Sequence, residues 1–297
     1  MKFLVTGGAG FIGSHLVRHL LPHGPVTVLD NLLTGNRANL ADLPIDFVQG
    51  SILDSQLLSQ SLVGVTHVFH LAAMVSVPES VKEPSACHEI NVEGTHRVLQ
   101  AASRAGGQRF VLASSCAIYG NDPIMPKTES LPPAPASPYA ESKLAGEKLC
   151  SESPLPAVAL RFFNVYGPRQ DPQGPYAAAV PRFFQAAQAG SPLTIHGDGL
   201  QTRDFVYVGD VAAALSHVAF RPELRGVLNV ASGQSTSILQ LAQTIRSITH
   251  SSSPITHTTA RPADVRFSSA SIERLRATGW SPKYLLPQGL PLLLEEK

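Results

Sequence analysis

Phe3-Leu4-Val5-Thr6-Gly7-Gly8-Ala9-Gly10-Phe11-Ile12-Gly13 opens this chain and decides how the rest is read. Phe3 to Thr6 form a short apolar run, long enough for a buried strand. Leu16, Val17, Leu20 and Leu21 then follow at helical spacing. Gly7, Gly10 and Gly13 suit a tight turn, close backbone approach to a pyrophosphate, and close helix–strand packing. The helix that follows turns its free N–H groups and positive dipole end toward an anion. A glycine-rich string alone is an ordinary loop; between a strand and a helix it reads as a dinucleotide cradle.

An acid at the end of the next strand tests that reading. Val26-Thr27-Val28-Leu29-Asp30 supplies one, seventeen residues after Gly13. A carboxylate there accepts from ribose hydroxyls and repels a 2′-phosphate, favouring NAD over NADP. Followed by Asn31, Asp30 would also suit a turn cap; the preceding glycines favour the nucleotide role.

Tyr139-Ala140-Glu141-Ser142-Lys143 places a phenol and an ammonium four residues apart, on one face if the stretch is helical. A free tyrosine ionises near pH ~10, and a nearby cation favours the phenolate. Such a pair suits a reaction in which an alcohol loses its proton while its carbon gives up a hydride. The spacing is common in amphipathic helices, so its weight comes from the glycine-rich start.

At 297 residues and 43% hydrophobic content, the chain has room for a large core and one or two lobes. A net charge of +1 gives no reason to invoke nucleic acid or an acidic membrane surface. No apolar stretch approaches the roughly 18 residues that span a bilayer, and the early strand leaves no room for a cleavable signal. The leucine-rich tail 285–294 is broken by Pro287, Gly289 and Pro291, which suits packing rather than anchoring. Three cysteines, Cys87, Cys116 and Cys150, without metal-ligand spacing suit a reduced, cytoplasmic setting. No metal site is proposed from the eleven histidines.

Apolar strands at 66–71, 109–113 and 158–163 alternate with helical segments, implying an α/β fold with a doubly wound parallel sheet. Composition shifts near Tyr166-Gly167-Pro168, where Pro and Gly thicken. The expected division is a nucleotide domain over 1–165, rejoined by 204–222, and a smaller substrate-binding lobe over 166–297. Ligands of such sheets bind outside the strand carboxyl ends.

Several further stretches come in a consistent order. They are Phe69-His70-Leu71-Ala72-Ala73, Asn91-Val92-Glu93-Gly94-Thr95, Ser114-Ser115-Cys116-Ala117-Ile118-Tyr119-Gly120 and Arg161-Phe162-Phe163-Asn164-Val165-Tyr166-Gly167-Pro168. Gly197-Asp198-Gly199, Arg203-Asp204, and Arg261-Pro262 with Asp264 complete the series. From Gly7 to about Trp280 the chain thus resembles the extended short-chain dehydrogenase/reductase family, specifically its nucleotide-sugar 4-epimerases. The resemblance implies cofactor contacts from Gly7, Gly10, Phe11, Ile12, Gly13, Asp30, Asn31, Ile52, Leu71, Ala72, Ala73, Tyr139 and Lys143. It implies that Tyr139 takes the sugar O4 proton, Ser115 hydrogen-bonds O4, and Lys143 binds the nicotinamide ribose. With the cationic ring, Lys143 would also stabilise the tyrosinate. Read alone, Ser115 would bond a backbone group and Lys143 would keep its head in water. The resemblance further implies a UDP-sugar held by Asn164, Arg203, Arg261 and Asp264, and a homodimer packed through Leu144, Ala145 and Leu149.

Positions 116 and 117 discriminate among activities. Dehydratases of the family carry an acidic pair there, and UDP-glucuronate decarboxylases a glutamate at the second place; Cys116-Ala117 is neither. GDP-fucose-forming reductase–epimerases use a cysteine here, but with NADPH, which Asp30 opposes; small-residue packing is the simpler role. Ser268, seven residues after Arg261, stands where a bulky residue would exclude N-acetyl groups. The loop 169–178 also resembles that of N-acetylhexosamine 4-epimerases. UDP-GlcNAc/UDP-GalNAc turnover is expected, alongside UDP-glucose/UDP-galactose. Departures include Ser51 in place of an adenine-contacting aspartate, Ala263 for glycine and Ser271 for aspartate. The rival readings are a UDP-glucuronate 4-epimerase, a 4-keto-sugar reductase, and a non-catalytic NAD-binding protein on the same fold.

Overall fold

The computed structural model describes residues 1–173, 178–260 and 266–295. The strands in chain order are β1 (Phe3–Thr6), β2 (Val26–Asp30), β3 (Asp46–Gln49), β4 (His67–His70), β5 (Arg109–Ser115) and β6 (Ala157–Phe162). They continue with β7 (Asn164–Tyr166), β8 (Leu193–His196), β9 (Thr202–Tyr207), β10 (Gly226–Val230), β11 (Ser235–Ser237) and β12 (Ile255–Thr258).

Contacts divide the chain into two compact units. The first comprises residues 1–120, 131–162 and 211–229. It carries a seven-stranded sheet in the order β3-β2-β1-β4-β5-β6-β10, with the five pairings from β3 to β6 parallel. This is the order of a doubly wound dinucleotide-binding sheet, whose topology reverses between β1 and β4. Every residue of β1 is fully buried, as a central parallel strand requires; β3, at the edge, is half exposed. The core joins Leu4, Leu29, Leu58, Val68, Val98 and Phe110. The helix Pro138–Glu152 packs along β5 and β6, and the helix Gly94–Arg104 packs against it.

The second unit comprises residues 121–130, 163–210 and 230–297. The segment 204–222 is therefore shared: residues through 210 group here and those from 211 with the first unit. A three-stranded sheet orders β11-β9-β7, and β8 pairs with β12 in parallel. Tyr166, Phe183, Phe184, Leu193, Leu241 and Ile245 form its core. Among the described residues, no helix is long and apolar enough to cross a membrane.

Candidate functional site

Gly7 follows β1 with φ +72°, and a Cβ there would lie 2.7 Å from the Ala72 nitrogen just beyond β4. A Cβ on Gly13 would lie 2.2 Å from the Gly7 carbonyl oxygen, so the helix Phe11–Leu20 meets the turn backbone to backbone. No side chain caps that helix, and its first turn has no acid. The Phe11, Ile12 and Gly13 N–H groups, which need partners outside the helix, thus form an electropositive terminus. Leu71, Ala72 and Ala73 follow the end of β4 next to this cradle.

Asp30 caps its own turn, one of the two roles that its sequence setting suggested. Its carboxylate is buried at the end of β2; Oδ2 accepts from Ala9 N at 2.9 Å and Oδ1 from Leu32 N at 2.8 Å. The first bond ties the acid to the glycine turn and the second closes its own turn. Asn31 is exposed, and its side chain accepts from Leu33 N. Ile52 belongs to the core and would collide with any Cβ on Gly94. A turn that only glycine fits, an uncapped helix terminus and an acid at the second strand end suit a dinucleotide diphosphate and its ribose.

Behind the cradle lies a buried hydrogen-bond chain. His70 Nδ1 is 2.7 Å from Thr6 Oγ1, and its Nε2 is 2.9 Å from Thr95 Oγ1. Thr95 donates its hydroxyl proton to the Asn91 carbonyl at 2.6 Å, so it accepts from Nε2–H. Nδ1 therefore accepts from Thr6, and the ring is the neutral Nε2–H tautomer. Burial first, then the nearby Lys143 charge, pushes the imidazole down to about 3.

The helix Pro138–Glu152 starts where Ser137 accepts from Ala140 N, with proline in its first turn. Tyr139 and Lys143 sit one turn apart, beside the C-terminal end of β5. Lys143 Nζ donates to the Ala113 carbonyl at 3.0 Å and stands 5.8 Å from the Tyr139 ring centre. Ser115, the last residue of β5, accepts from Ala117 N at 3.1 Å, and its hydroxyl favours the ionised form of Tyr139. The pKa pattern departs from the sequence expectation of a cation-lowered phenol. Burial of the Tyr139 hydroxyl pushes it up to about 12, opposed by the Ser115 hydroxyl. Lys143 is itself pulled down to about 8, again by burial. The low-dielectric setting outweighs the pairing in this protein by itself. Cys116 is half-buried beside Ser115, and neither it nor Ala117 presents a carboxyl group.

Asn91 went unassigned at the level of sequence. It lies in the wide helical turn Glu89–Glu93 and bonds both backbone groups of Met74, its Oδ1 accepting at 2.8 Å and Nδ2 donating at 2.9 Å. Nδ2 also reaches Ser142 Oγ at 2.9 Å, and Ser142 donates to the Tyr139 carbonyl at 2.7 Å. One amide thereby joins the segment after β4 to the tyrosine's helix. Its signal lay inside the quoted stretch Asn91 to Thr95.

In the second unit, Asn164 begins β7. Arg203 on β9 donates to the Thr202 carbonyl at 2.7 Å, while Ser268 N donates to Thr202 Oγ1 at 3.4 Å. Arg203 and Ser268 thus flank one residue. Arg261 and Asp264 lie outside the described residues, as does part of the loop 169–178. Nearby, Arg266 grips Asp198 with two bonds of 3.0 and 2.8 Å. His15, His19 and His23 recur every four residues, a spacing that metal sites use. His15 packs edge-on against Phe11 and His23 tilts against Phe220. The described residues contain no group of three or more metal-ligating side chains.

The NAD dependent epimerase/dehydratase family matches residues 3–231. A UDP-glucose 4-epimerase of Mycolicibacterium smegmatis is 38% identical over 99% of this chain and 98% of its own. A UDP-N-acetyl-alpha-D-glucosaminuronate decarboxylase of Bacillus cytotoxicus is 38% identical over 86% of this chain and 83% of its own. A solved UDP-N-acetylglucosamine 4-epimerase from Methanobrevibacter ruminantium, in complex with UDP-N-acetylmuramic acid, superposes with a TM-score of 0.95. It is 36% identical and covers 99% of this chain and 97% of that one. Since the family match runs through the cradle and on past Lys143, the chain belongs to the NAD-dependent epimerase/dehydratase family, and NAD is its cofactor.

Proposed function

We propose that this protein is a UDP-hexose 4-epimerase that interconverts gluco- and galacto-configured UDP-sugars, UDP-GlcNAc/UDP-GalNAc and UDP-glucose/UDP-galactose, through a 4-keto sugar. The observation that carries this reading is Tyr139 and Lys143 one turn apart on a helix beside the β5 end that carries Ser115, with positions 116 and 117 offering no carboxyl group. The likeness to a UDP-glucose 4-epimerase and a UDP-N-acetylglucosamine 4-epimerase supports it. The decarboxylase relative does not favour a second reading: position 117 is alanine, where the resemblance implies a glutamate for UDP-glucuronate decarboxylases.

Tyr139 removes the O4 proton and later returns one, and Ser115 holds O4 against it. The Gly7–Gly13 turn, the helix start behind it and Asp30 would hold NAD, which would supply a reversible hydride acceptor for C4. Lys143, near 8, remains mostly cationic at neutral pH and offsets negative charge growing on the phenol. Because burial sets Tyr139 near 12, the phenol is protonated in the protein alone, and deprotonation must be coupled to added positive charge.

In this reading residues 1–165 with 204–222 hold the cofactor, and 166–297 hold the nucleotide sugar. Asn164, Arg203, Arg261 and Asp264 take the UDP moiety, and Ser268 leaves room for an N-acetyl group. A homodimer through the helix Pro138–Glu152 completes the proposal; its Leu144 and Ala145 are half-buried within one chain, whereas Leu149 also packs on the core. The test is proton NMR of the protein with NAD and, separately, UDP-GlcNAc, UDP-glucose and UDP-glucuronate. Galacto-configured product from either of the first two supports the reading. Turnover of UDP-glucuronate alone, or only of a 4-keto sugar with added NADH, sinks it.

A further inference from the structure

Tyr139 and Lys143 share their helical stripe with a third residue. Glu147 stands one further turn along the helix Pro138–Glu152, on the same face and buried. Its Oε1 accepts from Ser114 Oγ at 2.6 Å and from Arg161 Nε at 2.9 Å, and Oε2 accepts from Arg161 Nη2 at 2.7 Å. Arg161 lies on β6, and its guanidinium stacks 4.8 Å from the centre of the Tyr119 ring. The Tyr119 hydroxyl donates to Asn229 Oδ1 at 2.7 Å.

These contacts converge on Ser115 without touching it. Ser114 precedes it in β5, and Tyr119 ends the short helical turn Cys116–Tyr119 that Ser115 caps. One carboxylate thus grips the residue before Ser115, and its arginine partner grips the turn after it. The same carboxylate sits on the helix that carries Tyr139 and Lys143. We propose that Glu147 and Arg161 are positioning residues that hold Ser115 in register with Tyr139 and Lys143, setting the rate of the chemical step rather than the binding of substrate. The proposal rests on the 4-epimerase reading for its kinetic part only.

Stability alone is a poor explanation for the pair. The two side chains are only 4% and 6% exposed, and desolvating such charges offsets much of their attraction. Arg161 Nη1 is buried with no hydrogen-bond partner among the described residues, which adds a further cost. Well-packed apolar residues of similar size would hold strand and helix together as well. What they would lack is direction: a two-pronged Arg–carboxylate bond fixes the relative position of its partners, where apolar contacts permit sliding. Reacting groups displaced by about 1 Å lose on the order of 100-fold in rate.

The decisive comparison is wild type against Glu147→Leu/Arg161→Met, with Glu147→Gln as a second variant should the first not fold. We expect kcat to fall between about 10- and 100-fold while KM for the UDP-sugar stays within about twofold. Alkylation of Cys116 by iodoacetamide should speed up several-fold as its turn is released, with buried Cys87 and Cys150 still protected, which distinguishes local release from unfolding. Wild-type kcat in a folded variant overturns the proposal, as does a rise in KM at unchanged kcat. If the wild-type protein turns over no UDP-sugar, the 4-epimerase reading has failed by itself. The Cys116 rate then decides: acceleration in the variant supports the positioning role, and an unchanged rate overturns it.

Discussion

Acid should unfold this protein through His70. The ring is 1% exposed, and both nitrogens are committed to the threonines that flank it. Protonating Nδ1 would set a proton against the Thr6 hydroxyl that now donates to it. Turning that hydroxyl away leaves a buried donor seeking a new acceptor. Burial, then the nearby Lys143 charge, lowers His70 from its ordinary 6.5 to about 3 in the folded protein. Between those values the unfolded chain binds the proton and the folded one does not, so stability is full above pH 6.5 and declines as pH falls. At about 1.4 kcal/mol per pH unit below 6.5, the loss between pH 7.5 and 5.0 is about 2 kcal/mol. His19 and His67 are lowered too, chiefly by burial, and add loss of the same sign. The assay must therefore isolate His70. Glutamine at this position can accept from Thr6 and donate to Thr95 but does not titrate. Urea unfolding at the two pH values should show wild type losing about 2 kcal/mol more than His70→Gln. Equal losses would refute the buried neutral imidazole.

Three other outcomes follow from the site. Gly13→Ala puts a Cβ 2.2 Å from the Gly7 oxygen and forces the turn or helix to retreat by about 1 Å; calorimetry should show NAD affinity down at least tenfold and a lower melting temperature. Asp30→Asn replaces one acceptor of Ala9 N or Leu32 N with a donor and removes the charge that repels a 2′-phosphate. NADP should gain on NAD in competition binding, with stability reduced by about 1–3 kcal/mol. Tyr139→Phe should cut turnover by about 10²–10⁴-fold while UDP-sugar binding changes little; lost binding with retained turnover would contradict its role.

The strand–glycine–helix start was legible because its meaning is local. Gly7, Gly10 and Gly13 lie within seven residues, and a tight turn leaves few other uses for that spacing. The one-turn separation of Tyr139 and Lys143 was legible for the same reason, since helical geometry needs only counting. What could not be read was the company that these residues keep. His70 meets Thr6 across 64 residues, and Ser114 meets Glu147 across 33. No periodicity announces such pairs. The direction of the Tyr139 shift was misjudged because sequence shows the neighbouring cation but not the burial that outweighs it. Glu147 did leave a trace, an acid one turn beyond Lys143 on a face turned to the sheet. Arg161 left another, a cation inside the apolar strand 157–162.

In a 4-epimerase of this kind C4 gives up its hydrogen and receives the same one back. The most direct measurement is to incubate the protein with NAD and UDP-GlcNAc or UDP-glucose in D₂O, then locate the label in both epimers by NMR. Gluco and galacto forms should interconvert with protium retained at C4. Deuterium at C4, or no interconversion of either sugar, would contradict the 4-epimerase reading.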